Sequence, residues 1–207
     1  MTTRTTATDG SPSATAHDAH ASVRGVSALR HPVVSGGLIG VVGGAAFVFG
    51  GVAGLPEPAQ APLRWAAVGV VALALVAVLF CRRALPAPRP PAPGAGRVYG
   101  VCVVAMLLLM PFTRLAALAL DAPTAQISLV AAVVGAHFLP FARAFHAPVF
   151  RWIGGAMLAL GLGGALLAVL GVPAAGPAGA AAAGAAMLVI VAVQAFQQTR
   201  HGRHGDR

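Results

Sequence analysis

The chain contains no lysine and no asparagine, and among its 207 residues only five are acidic, two are cysteine and one is tyrosine. Charge of either sign is scarce, at 9%. A soluble globular chain carries about 25% charged residues, so most soluble folds are excluded at once. The 26 glycines and 16 prolines follow no G-X-Y period, which excludes collagen, and the apolar content is far too high for a disordered chain. What is abundant is apolar: 57% of residues are hydrophobic and the mean hydropathy is +0.81. The solvent for most of this chain is lipid. The missing lysine and asparagine, beside abundant alanine, match the codon usage of a GC-rich bacterial genome.

A helix needs about 20 apolar residues to cross about 30 Å of hydrocarbon. Six such runs are present, at about 33–54, 64–82, 98–120, 126–145, 152–172 and 177–196. The third reaches full length only with Pro111 and Arg114 inside it. The fifth and sixth are separated by little more than VPAAGP, a turn signal that makes them a tight helical hairpin. None of the runs alternates with period 2, and an open sheet in lipid would leave backbone groups unpaired at several kcal/mol each. The expected fold is therefore all-α, a polytopic transmembrane helix bundle of about six spans. Residues 1–32 read as a flexible cytoplasmic tail, 33–196 as the transmembrane domain and 197–207 as a short polar cytoplasmic tail. No cleavable signal is expected, because nothing before the first run resembles a charged n-region followed by an h-region.

All fourteen basic side chains are arginines, and their distribution gives the orientation. Arg4, Arg24 and Arg30 precede the first span, Arg82, Arg83, Arg89 and Arg97 lie between spans two and three, Arg143 and Arg151 flank the junction of spans four and five, and Arg200, Arg203 and Arg207 follow the last. Those four segments share one side; only Arg64 and Arg114 are on the other. The positive-inside bias then puts both termini in the cytoplasm. Asp9, Asp18 and Asp206 are on the inner side, and Glu57 and Asp121 on the outer, so the entire surplus of positive charge is a property of the cytoplasmic face. That rim suits anionic lipid head groups. No base-stacking platform accompanies the arginines, so nucleic acid is not a partner this sequence implies. The expected location is the bacterial inner (plasma) membrane, with Trp65, Tyr99 and Trp152 at interfacial depths. Cys81 and Cys102 fall near the inner leaflet and read as small apolar fillers.

Glycines at intervals of four mark faces where helices approach closely. Gly36, Gly40 and Gly44 do so on span one, Gly155, Ala159 and Gly163 on span five, and Gly176, Ala180 and Gly184 on span six. Spans one, five and six are thus candidates for the centre of the bundle. Lining of a substrate path by the same exposed backbone is the competing reading. No inverted repeat relates the halves, which removes one hallmark of secondary transporters, although six spans are compatible with one half of a homo-oligomer.

Polar residues within the spans are few, and ionisable groups at that depth are functional candidates by default. His137 is the foremost. Pro140, three residues on, cannot donate to the carbonyl of Ala136, which leaves an acceptor beside the imidazole, and Phe141 shares the face of His137 at i, i+4. A proton relay, a polar ligand contact, a metal ligand and a hydrogen bond to a neighbouring helix all fit. Arg114 and Asp121, seven positions apart on nearly one face of span three, form the second constellation. Either they pair, or Arg114 snorkels outward and Asp121 caps the next helix. No cluster has metal-ligand spacing, and the tail pairs His17/His20 and His201/His204 are compositional signals only. No cofactor is implied. The motifs of phosphate-binding loops, zinc proteases and serine hydrolases are missing, as are paired intramembrane carboxylates, so the balance leans away from an enzyme.

The stretch AHFLPFARAFHAPVFRWIGG, residues 136–155, resembles an H-F-x-P-x-A-x-x-F signature of small multi-pass bacterial membrane proteins of unknown function. His137, Phe138, Pro140, Ala142 and Phe145 match it, over about a tenth of the chain, and the resemblance carries no activity. The functional expectation is an integral membrane protein with a structural, interaction or regulatory role. The alternative is a small-molecule transporter or permease subunit, in which His137, with Pro140 and Arg114, would line a mid-membrane cavity.

Overall fold

The computed structural model describes residues 32–80 and 91–201, and all regular structure among them is helical. The two tails, and the segment with Cys81, Arg82, Arg83 and Arg89, lie outside the described residues. The elements are α1 (Pro32–Ala53), α2 (Glu57–Phe80), α3 (Ala95–Ala119), a short 3-10 turn (Pro123–Ala125), α4 (Gln126–Ala144), α5 (Val149–Val169) and α6 (Ala175–His201). All six long helices are long and apolar enough to cross a membrane.

Helix boundaries follow local chemistry. The second helix starts at Glu57, two turns before the apolar run, because Gln60 has work to do at the end of α1. Its Nε2 donates to the Leu55 carbonyl at 2.8 Å and the Ala53 carbonyl at 3.4 Å, and Arg64 Nη2 donates to its Oε1 at 3.1 Å. Carbonyls that the end of α1 leaves without an intrahelical donor are thereby engaged. The third helix does run through Pro111 and Arg114. One turn of it is reinforced by Thr113, whose buried hydroxyl donates to the Met110 carbonyl at 2.7 Å.

Three helices end in the same way. After α3, α4 and α5 the chain enters the left-handed region at Asp121 (φ 50°), His146 (φ 50°) and Gly171 (φ 93°). In each case the next two amides turn back onto the helix: Asp121 N to Leu118 O and Ala122 N to Ala117 O, His146 N to Arg143 O and Ala147 N to Ala142 O, Gly171 N to Ala168 O and Val172 N to Leu167 O. These are Schellman motifs. Pro123, Pro148 and Pro173 each follow two residues after the turn residue, where a further helical amide is not needed. Asp121 therefore ends α3 instead of capping the next helix, whose caps carry no side-chain hydrogen bond. Its short polar side chain tolerates the left-handed backbone.

The centre of the bundle is α6, which packs on α1, α2, α4 and α5. The most extensive pairings are α4 with α5, α1 with α6 and α5 with α6. On the flanks, α3 leans on α4 and the 3-10 turn, and α2 leans on α1 and α6; α2 and α3, though consecutive, do not touch among the described residues. The residues leading into α3 are tied down by Ala92 N, which donates to the Ala144 carbonyl at 3.0 Å.

Glycine sets the close approaches. A methyl group on Gly51 would stand 2.5 Å from both the Ala181 nitrogen and the Pro177 oxygen, and one on Gly161 would stand 2.6 Å from the Ala132 nitrogen and the Ser128 oxygen. Those backbones meet because nothing separates them. Of the residues singled out by spacing, Gly40 faces Val191, Gly44 faces Leu188 and Gly184, and Gly176 faces the Thr124 carbonyl. Gly36, Gly155 and Gly163 instead open on space with nothing within 4 Å. On α5 the seam runs through Gly154, Gly161 and Gly164, so a register set by Gly155 and Gly163 is corrected to the adjacent face.

Candidate functional site

His137 lies on α4 about 16 Å from the Gln126 end and about 10 Å from the Ala144 end, at 1.5 Å per residue. This is about 3 Å from the middle of the helix, on the side of its arginine-bearing end. Helical side chains lean toward the N-terminus, and the ring accordingly reaches back one turn, where Nδ1 donates to the Val134 carbonyl. The acceptor it finds is not the Ala136 carbonyl that Pro140 leaves without a donor. Pro140 itself is exposed on the outside of the bundle.

Around the imidazole is a cluster of rings. Phe138 is 4.2 Å from it and Phe141 5.3 Å, the latter edge-on. Buried Phe141 stacks on Tyr99 of α3 at 5.5 Å, and Phe138 stacks on Phe150 of α5 at 5.8 Å and 7°. Phe145 closes the group against Phe141 and Phe150. Offset and edge-on pairs of this kind add about 0.5–1.5 kcal/mol each beyond area burial. The cluster joins three helices at one end of the bundle. Its members on α4 were visible at i, i+4; Tyr99 and Phe150 were not, because they arrive from other helices.

The second constellation does not assemble. Arg114 and Asp121 are both exposed, and neither side chain makes a hydrogen bond or ion pair among the described residues. Arg114 is five residues from the end of α3, about 8 Å along the axis, within reach of the interface for a snorkelling side chain. Cys102 is free and half-buried on α3, and among the described residues no three His, Cys, Asp or Glu side chains group as metal ligands.

A polar node that the sequence did not announce sits at the other end. Ser128 is fully buried, and its hydroxyl donates to the Gly176 carbonyl at 2.6 Å. Methyl groups on Gly164 and Gly179 would stand 2.6 and 2.7 Å from that oxygen. One hydroxyl thus fits where α4, α5 and α6 converge, and only glycine leaves it room. Pro123 at the first position of the 3-10 turn and the helix start just before Ser128 bring it there.

Two clefts open on the sides of the bundle. One, of about 280 Å³, lies between α3, α4 and α5 and is walled by apolar groups such as Leu109, Phe112, Leu129, Ala136 and Leu158, with Thr113 beside them. The other, of about 450 Å³, lies between α1, α4 and the start of α6. Neither is lined by His137, Pro140 or Arg114. The chain matches no protein-family model, no curated protein and no solved structure.

Proposed function

We propose that this chain is an integral protein of a bacterial plasma membrane, with both termini in the cytoplasm and a structural, interaction or regulatory role. The observation that carries the reading is the engagement of His137. Its Nδ1 is committed to Val134 and its ring to Phe138 and Phe141, so the most prominent intramembrane ionisable side chain works as packing and as intrahelical glue. The orientation is supported by the ends of the bundle: Arg97, Arg143 and Arg151 belong to one end, Glu57 and Asp121 to the other. The arginine-bearing rim attracts anionic lipid heads at roughly 1 kcal/mol per side chain near the surface. The resemblance of residues 136–155 to a signature of small multi-pass bacterial proteins agrees with this placement.

Two measurements test the reading. A phosphatase reporter that is active only in the periplasm, fused after Arg207, is expected to be inactive; activity would reverse the orientation. Proteoliposomes loaded with a pH-sensitive dye or with labelled small solutes are expected to leak no faster than empty vesicles. Flux that is present in the wild type and lost in His137→Ala would overturn the structural role in favour of transport.

A further inference from the structure

Helices α3 and α5 both pack on α4 and not on each other, so α4 is the floor of a groove whose walls they form. The cleft of about 280 Å³ lies in that groove. It is just below the range of small-molecule sites, about 300–1,000 Å³, and its walls are apolar. Thr113, the polar residue beside them, already donates its hydroxyl to the Met110 carbonyl. Such a space suits a hydrocarbon chain, and the molecule that carries the chain is selected further along the groove.

Ala136 of α4 and Leu158 of α5 line the cleft. Seven residues on, toward the same end of the bundle, each helix carries an arginine, Arg143 on α4 and Arg151 on α5. Seven residues are nearly two turns, so each arginine repeats the face of its lining residue to within about 20° and stands about 10 Å from it along the axis. The way between is open: a methyl group on Gly155 would meet nothing within 4 Å, and Pro140 is exposed. The two cations also lie at similar depth. Backbones of α4 and α5 meet where Gly135 faces residues 154–158, and Arg143 is about 12 Å beyond that meeting point and Arg151 about 5–10 Å. With axes about 8–10 Å apart, one phosphate is within reach of both side chains.

Nothing among the described residues neutralises them. Arg143 makes no hydrogen bond or ion pair through its side chain, and the guanidinium of Arg151 meets only the Trp152 ring, 5.8 Å from its centroid. Both described carboxylates, Glu57 and Asp121, are at the opposite end, whereas Arg97 in the first turn of α3 adds a third cation here. Residues 81–90 hold three arginines and no acid, and each tail has more arginine than aspartate. Arg151 moreover occupies the first turn of α5, which contains no acid, at the positive end of the helix dipole, where a cation is disfavoured. An anion between Arg143 and Arg151 relieves both conditions, and a head group with its own ammonium would bring a like charge to the same place.

We propose that the groove is a seat for phosphatidylglycerol, with the phosphate between Arg143 and Arg151 and one acyl chain running past Pro140 and Gly155 into the cleft at Leu158. This seat rests on the reading of the rim as one that meets anionic heads, and narrows it to one groove.

The test uses the full chain in nanodiscs doped with phosphatidylglycerol bearing a diazirine near the tail end or, separately, phosphatidylcholine with the same chains, and cross-linked peptides are read by mass spectrometry. The glycerol probe is expected to label residues 129–136 and 158–162 about tenfold more than the choline probe, as two arginines near the surface allow. Arg143→Gln with Arg151→Gln is expected to equalise the probes in the cleft. Ala136→Phe, or Leu158→Trp should Ala136→Phe fail to fold, fills the cleft and is expected to bring its labelling down to the level of exposed α2. Equal labelling of the cleft by both probes in the wild type, or glycerol labelling unchanged in the double arginine variant or in the filled cleft, overturns the proposal. Glycerol labelling enriched as much on α2 as in the cleft overturns it too, while the attraction of the rim for anionic heads stands; no preference for the glycerol probe anywhere on the chain removes both.

Discussion

The helices α3 and α6 are nearly matched in the length and apolar character of their spans, yet 11% of one span is buried in the bundle and 44% of the other. Hydropathy does not separate them; side-chain size does. The buried helix opens with AGPAGAAAAGAA, whereas the exposed one carries VVAMLLLM through its middle. In water the large apolar side chains would have gone inside. Lipid tails are as apolar as leucine, so burying Leu107 or Leu108 gains nothing from solvent, and the interior goes to residues that let backbones touch.

The strongest way to break this contrast is to give the interior a flank's side chain. Gly161→Leu drives a side chain into the Ser128 and Ala132 backbone, and a loss of roughly 3 kcal/mol or more is expected, as overpacking exceeds its usual 1–3 kcal/mol when backbone must move. Gly155→Leu, on the open face of the same helix, is the control. Thermal unfolding in detergent should separate them by a wide margin, and similar midpoints would remove the seam. Next in size is Phe141→Ala, which removes the hub of the ring cluster and is expected to destabilise by about 3 kcal/mol, the lower end of the range for aromatic truncation. Its readout is the unfolding midpoint beside that of Phe112→Ala on exposed α3. Ser128→Ala comes third, at about 0.6–1.7 kcal/mol, the range for interhelical hydrogen bonds in membranes. The smallest effect is expected from Leu108→Ala, 64% exposed, within about 0.5 kcal/mol; a larger loss would mean that something other than lipid covers α3.

The number of the helices could be read from the sequence because bilayer thickness sets how long an apolar run must be; the start of α2 at Glu57 could not, because its first turns are polar. Helix register within the bundle could not. The doublets Gly154-Gly155 and Gly163-Gly164 each offer two faces, and spacing alone cannot choose; the choice is made by Ser128 and Gly135 across the seam. Asp121 looked like a site residue because its charge drew attention to it, yet its positive φ angle shows a backbone duty. His137 was legible as unusual, but Tyr99 and Phe150, which complete its surroundings, come from α3 and α5, and which faces of those helices meet α4 is not written in the spacing.

One consequence concerns the order of the helices along the chain. The helix that touches most of the others follows the other five along the chain. Apart from α6, α1 with α2 and α3 with α4 and α5 share little contact beyond a narrow one between α1 and α4. Without α6 the described helices fall into a pair, α1 with α2, and a trio, α3 with α4 and α5, and the glycine- and alanine-rich α6 is what joins them.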